Sequence, residues 1–274
     1  MGYLILVAVA IIFLVWFLTK PARRRRRHAR HGDQPFPAKW RKILRRRMPY
    51  YRRLPFNLQR QLQQRVHVFI AEKNFVGCNG MQVTDEVRVL IAAQASLLLL
   101  NRDTDCFATM SEVLVYPDTF VIEREEVGPG GTVRRVRRAV SGESWANSQV
   151  VLSWTDVLEG AADTGDGHNV VIHEFAHQLD QETGHGNGAP NLDSREQAGR
   201  WSTVLGGEFN RLREQIARDD DSVLDAYGAQ DPVEFFAVAT ETFFERPARL
   251  NAEHPELYEE LAKFYCVSPL LWLD

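Results

Sequence analysis

His173-Glu174-Phe175-Ala176-His177 is the stretch that decides the reading of this 274-residue chain. Two histidines four apart lie on one face of a helix, one turn from each other, so both imidazoles can reach a single zinc ion. Glu174 projects beside them, where it can take a proton from a water polarised at that ion. Chance alone supplies such a pentapeptide in roughly one chain in fifty of this composition, so the flanks matter. Val170, Val171, Ile172, Phe175, Ala176 and Leu179 surround the motif. A helix this apolar is substantially buried, unlike one carrying two surface histidines. Buried histidines beside a glutamate need partners, and a metal ion supplies them.

A catalytic zinc takes a third protein ligand and keeps one position open for water. The candidates are Asp180, His168, His185, Glu234 and Glu241. Asp180, three residues after His177, is better suited to orienting an imidazole than to binding the ion. His168 and His185 flank the helix, and either also reads as a surface residue. Glu234 has a competing reading as a capping box, with Asp231 as N-cap and Pro232 at the first helical position. Glu234 and Glu241 stand seven apart on one helix face, and spacing does not choose between them.

Around the site, apolar positions recur at helical period over 54–73 and 85–101, and again over 169–182, 193–217, 231–244 and 254–265. Between them the period changes. Glu112–Pro117, Thr119–Glu123, Val133–Val140 and Gln149–Trp154 alternate as strands, with Gly-rich turns at 128–131 and 141–142. Helices, a small mixed sheet, then helices make an α+β, mainly helical domain. Gln149–Trp154, just ahead of the motif helix, is the expected edge for an extended peptide.

The charge is unevenly placed. Residues 1–65 hold 17 of the 33 Lys and Arg and one acid, so a net charge of −3 joins a strongly basic segment to an acidic globule. Tyr3 to Thr19 carries no charge in 17 residues, about 25 Å of helix, near the lower limit for spanning a bilayer. Lys20, Arg23–Arg27 and Arg30 follow it, which predicts a retained single-pass anchor with its C-terminal side in the cytoplasm. Cys78, Cys106 and Cys266, widely spaced and odd in number, fit a reducing compartment. Because the Arg run abuts the apolar 17-mer, it reads as a stop-transfer signal touching lipid headgroups, with no nucleic-acid partner. The expected organisation is an anchor over 1–20, a basic juxtamembrane segment and linker over 21–53, and a catalytic domain over 54–274.

HEFAHQLD (173–180), SGESW (141–145), VVLSW (150–154) and DAYGAQDPVEFFAVATETFF (225–244) together resemble the Mlc titration factor A family of zinc-dependent peptidases. AEKNF (71–75), IAAQAS (91–96) and VYP (115–117) extend the likeness through the globular part. The resemblance implies a zincin-like metallopeptidase fold of gluzincin type, similar to the anthrax lethal factor catalytic domain. It places zinc ligands at His173, His177 and Glu234, a general base at Glu174, and a catalytic tyrosine at Tyr227. The anchor and the C-terminal VSPLLWLD depart from the family's pattern, as does Ser148-Gln149 where a Gly is expected.

The implied function is hydrolysis of peptide bonds in a peptide or protein substrate. Glu174 moves the proton, and the Tyr227 hydroxyl steadies the carbonyl oxygen as it becomes negative. The family's name comes from binding a repressor of sugar uptake, which adds a regulatory protein as a partner class. The alternative reading is a membrane-tethered, zinc-containing binding module that sequesters such a protein without cleaving it. An intact Glu174 argues against that module, because a structural zinc site needs no base.

Overall fold

Asp85–Leu97 (DEVRVLIAAQASL) forms a helix in which Val87 and every residue from Val89 to Leu97 are buried. Thr84 caps it, its hydroxyl accepting the Val87 N–H. Such a helix must be wrapped on all sides. In chain order the computed structural model has α1 (Ala38–Arg47), α2 (Pro49–Arg53), α3 (Phe56–Glu72) and β1 (Asn74–Gly77), then this helix as α4. Next come β2 (Glu112–Tyr116), β3 (Phe120–Val127), β4 (Val133–Val140), β5 (Gly142–Trp145) and β6 (Gln149–Ser153). The helices α5 (Trp154–Ala162), α6 (Val170–Gln181), α7 (Arg195–Ala217), α8 (Pro232–Glu245), α9 (Pro247–Glu253) and α10 (Pro255–Tyr265) follow. Short 3-10 turns lie at Ala226–Ala229 and Pro269–Trp272. Helices α1, α3, α5 and α6 all pack against α4.

The structure describes residues 34–272 apart from 103, 105, 106, 119, 128–132, 141, 146, 147, 183 and 185. The anchor expected at Tyr3–Thr19, the Arg23–Arg27 run, Cys106, His185 and the turn at 128–131 lie outside the described residues. Among the described residues no helix is long and apolar enough to cross a membrane.

The main sheet has the order β1-β2-β6-β5. β1, β2 and β6 are parallel, and β5 runs antiparallel to β6. β3 and β4 form a separate antiparallel ladder. The expected edge strand is corrected here: Gln149–Ser153 is paired with β2 on one side and β5 on the other, so the sheet's edges are β1 and β5. Both edges are four residues long, too short for alternation to mark them. The mixed sheet itself is as expected.

The start of the packed domain also shifts. Phe36, Leu44, Met48, Tyr50, Tyr51 and Leu54 are buried in the same core as Phe175 and Phe236. Residues 36–53, expected as juxtamembrane segment and linker, are therefore folded structure. Trp40, Leu44 and Met48 recur every fourth residue; Leu44 and Met48 are buried and Trp40 packs against the core, which holds α1 on α4 despite the charge around them.

The motif helix α6 lies between β5 and β6 on one side and α8 on another. Phe175 anchors it, its ring centroid 4.7 Å from that of Phe107 and 5.6 Å from that of Phe69. On α8, Phe235, Phe236, Phe243 and Phe244 are all buried in the core.

Candidate metal centre

Asn169 starts α6 as its N-cap, its Oδ1 accepting the Ile172 N–H at 3.0 Å. Asp231 starts α8, its Oδ1 accepting the N–H groups of Val233 at 2.8 Å and Glu234 at 3.0 Å. With Pro232 at the first helical position, this fixes where α8 begins and therefore where Glu234 points. The capping box is only half made: Glu234 turns its carboxylate to the histidines instead.

His173 Nε2 and His177 Nε2 stand 3.1 Å apart. Glu234 Oε2 lies 3.1 Å from the first and 3.4 Å from the second. Ligand atoms bound at about 2.0–2.1 Å to one tetrahedral ion sit roughly 3.3 Å from each other, so the three atoms have the spacing of a metal's donor set. His173, His177 and Glu234 are also the group of three metal-binding side chains that the described residues bring together. His173 Nδ1 lies 2.7 Å from Glu241 Oε1. Donating one proton there directs the lone pair of the neutral ring to Nε2, where a metal ion can take the place of a second proton.

Glu241, an alternative ligand by spacing, therefore sits behind the ring rather than in front of it. Its Oε2 accepts the Asn169 N–H at 2.6 Å. The Asn169 side-chain amide points toward Gln94 Oε1, Gly160 O and Glu245 Oε1 at 3.0, 2.9 and 3.1 Å. Sequence reasoning missed Asn169, although an Asn directly before an apolar run is an N-cap signal.

Burial works to lower the His173 pKa, but Glu241 and Glu234 together raise it well above the usual imidazole range. Burial pushes Glu234 up, yet its hydrogen bonds to His173 and His177 prevail and hold it below the ordinary carboxylate range. Glu174 is 5% exposed, and its Oε2 meets no hydrogen-bond partner among the described residues. Burial raises its pKa, only partly opposed by the two histidines. A carboxylate so placed is a more effective proton acceptor.

Tyr227 stands on the Ala226–Ala229 turn, 45% exposed, with its ring centroid 5.9 Å from that of His173. It borders the site from the solvent side instead of belonging to the core. His168 is exposed and lies 3.8 Å from Asp225, away from the donor set. Asp180 Oδ2 accepts the Gly188 N–H at 2.8 Å. Glu241 thus holds the His173 ring, and Asp180 fastens a loop through Gly188.

That loop matters to the site. Gly188, at φ +77°, also accepts the Trp201 indole N–H through its carbonyl at 3.0 Å. A Cβ there would come within 2.3 Å of the Pro232 carbonyl oxygen. One glycine thereby ties α6, α7 and the start of α8 together.

Residues 21–266 match the family described as glucose-regulated metallo-peptidase M90. The chain belongs to this family. The M90 chain is also 34% identical over 215 residues to Mlc titration factor A of Klebsiella pneumoniae strain 342, covering 77% of this chain and 80% of that protein. It is 33% identical over 224 residues to Mlc titration factor A of Serratia proteamaculans, with 79% and 84% covered. A Synechocystis relative, the uncharacterized protein slr2042, is 40% identical over 241 residues, 87% of each chain. The resemblance carried by the sequence blocks is therefore borne out for most of the chain.

Proposed function

We propose that this M90 chain is a zinc-dependent peptidase that hydrolyses peptide bonds. The observation that carries the proposal is the convergence of His173 Nε2, His177 Nε2 and Glu234 Oε2 beside a buried Glu174 with a free oxygen. Two nitrogens and one oxygen at tetrahedral spacing suit zinc better than the oxygen-seeking calcium or magnesium. His173, His177 and Glu234 would hold the ion, which supplies Lewis-acid polarisation of a water and a carbonyl.

Within that site Glu174 takes the proton of the attacking water and passes it to the departing amine. The Tyr227 hydroxyl, reaching in from the exposed side, donates to the substrate oxygen as charge develops on it. Glu241 fixes the tautomer of His173. The strand β5, against which α6 packs, is an edge of the sheet among the described residues and the place where an extended peptide would join.

The second reading, a binding module, draws on the relatives' name: Mlc titration factor A names a protein partner. A regulatory protein is accordingly a candidate partner or substrate here. The expected anchor at Tyr3–Thr19 would hold the domain at the cytoplasmic face of a membrane.

Cleavage of chromogenic amino-acid anilides separates the two readings. Activity lost to a chelator, restored by zinc and abolished in Glu174→Gln supports the peptidase. Zinc-loaded protein that captures a partner and cleaves neither the anilides nor that partner supports the module.

A further inference from the structure

The bases between residues 39 and 53 are built into a folded surface. In α1, Leu44 is buried and Trp40 and Ile43 pack on the core. The positions turned outward are Lys39, Lys42, Arg45, Arg46 and Arg47, all exposed, and the helix contains no acid. Asp85 and Glu86, at the start of α4, pair with Lys39 at 3.0 Å and with Arg46 and Arg47 at 3.2 and 2.7 Å. No acid among the described residues pairs with Lys42, Arg45 or Arg52. Just past Arg52 and Arg53, Phe56 stands 82% exposed.

We propose that this outward face of α1 and α2, centred on Lys42, Arg45 and Arg52, docks the catalytic domain on an anionic lipid surface. Opposite charge is one argument, and the position of the face in the chain is the other. The sequence ahead of it is an apolar 17-mer followed by Lys20 and Arg23–Arg27. Only about sixteen residues separate Thr19, the end of the apolar segment, from the buried Phe36, a reach of at most roughly 60 Å. A short tether makes lipid headgroups the polyanion present at high effective concentration. A base near an anionic leaflet adds about fivefold to binding, so three free ones favour the docked state by roughly a hundredfold. The inference rests on the anchor proposed above and adds to it a fixed orientation of the folded domain.

The test uses the full chain in lipid nanodiscs, either neutral phosphatidylcholine or with about a third phosphatidylglycerol. Amine acylation is read by mass spectrometry at Lys42, with the exposed Lys263 of α10 as reference. Lys42 labelling should fall about tenfold in anionic discs, recover at high salt, and leave Lys263 unchanged. In Arg45→Glu/Arg52→Glu, Lys42 should label alike in both discs. Equal labelling of the unaltered chain in the two discs overturns the proposal. So does protection of Lys42 by duplex DNA, added to neutral discs, that exceeds protection by anionic lipid. Retention in neutral discs reads the anchor separately: a chain that leaves them lacks the anchor, and salt-sensitive Lys42 protection on anionic vesicles then still reports on this face.

Discussion

On the Nε2 side of His173, ligand atoms of His177 and Glu234 stand 3.1 Å away, spaced for a single ion. On the Nδ1 side, Glu241 bonds to the ring, Asn169 bonds to Glu241, and Asn169 in turn reaches Gln94, Gly160 and Glu245. The front of the ring is a set of atoms spaced for a cation; the back is a chain of hydrogen bonds. This difference divides the labour. The back holds the ring in one tautomer and orientation, so that the front binds without first reorganising.

The largest expected effect breaks the front without touching either the donor set or the back. Glu174→Gln keeps shape but accepts no proton, and kcat/KM should fall about a thousandfold while zinc content stays at one per chain. Full activity in a zinc-loaded variant would remove Glu174 from the mechanism. Next come the two glutamates of α8, changed separately. Glu234→Ala should lose stoichiometric zinc, whereas Glu241→Gln should retain it with affinity weakened about 10–100-fold, measured by chelator competition. Loss confined to the Glu241 variant would exchange front and back.

These two glutamates also show how far the sequence could be read. The HExxH turn, the apolar flanks of α6 and the Asp231-Pro232 start of α8 are local signals, and each lies where pattern and capping chemistry place it. Glu234 and Glu241 share a helix face, so only the way α8 crosses α6 decides which meets Nε2 and which Nδ1. That is a tertiary fact, and family resemblance stood in for it. The domain's beginning was obscured differently. Trp40, Leu44 and Met48 carry a helical period, but six bases in the ten residues of α1 outweigh it in any composition average. Strands β1 and β5 owe their existence to pairing with β2 and β6 and carry no signal of their own.

A smaller effect tests whether the two sides are held in register by the loop between α6 and α7. Gly188→Ala places a Cβ against the Pro232 carbonyl at a left-handed backbone position. The combined strain and overlap should cost about 2–4 kcal/mol, read as a lowered denaturation midpoint. Because Pro232 precedes Glu234 by two residues, zinc affinity should fall together with stability. Unchanged affinity in a destabilised variant would show that the donor set is positioned by α6 and α8 alone.

The smallest effect lies farthest from the ion, at the end of the back network. Glu245 is 5% exposed, and burial above all, with the Asp166 carboxylate adding, pushes its pKa up to about 10 against the opposing hydrogen bond from Asn169. In the unfolded chain a glutamate ionises near pH 4.3. Between those limits the unfolded state binds fewer protons than the fold, so stability falls as pH rises, and below the lower limit this loss is absent. Glu245→Gln keeps the Oε1 acceptor for Asn169 and has no proton to lose. Its Tm should match the unaltered protein at about pH 4 and below, and exceed it at about pH 9. Each kcal/mol gained would read as roughly 2–4 °C for a domain of this size. Parallel Tm profiles would mean that Glu245 is ionised within the fold. The network behind His173 would then carry a second negative charge, and its resistance to rearrangement would have to come from electrostatic attraction to the ring instead of from neutral hydrogen bonds.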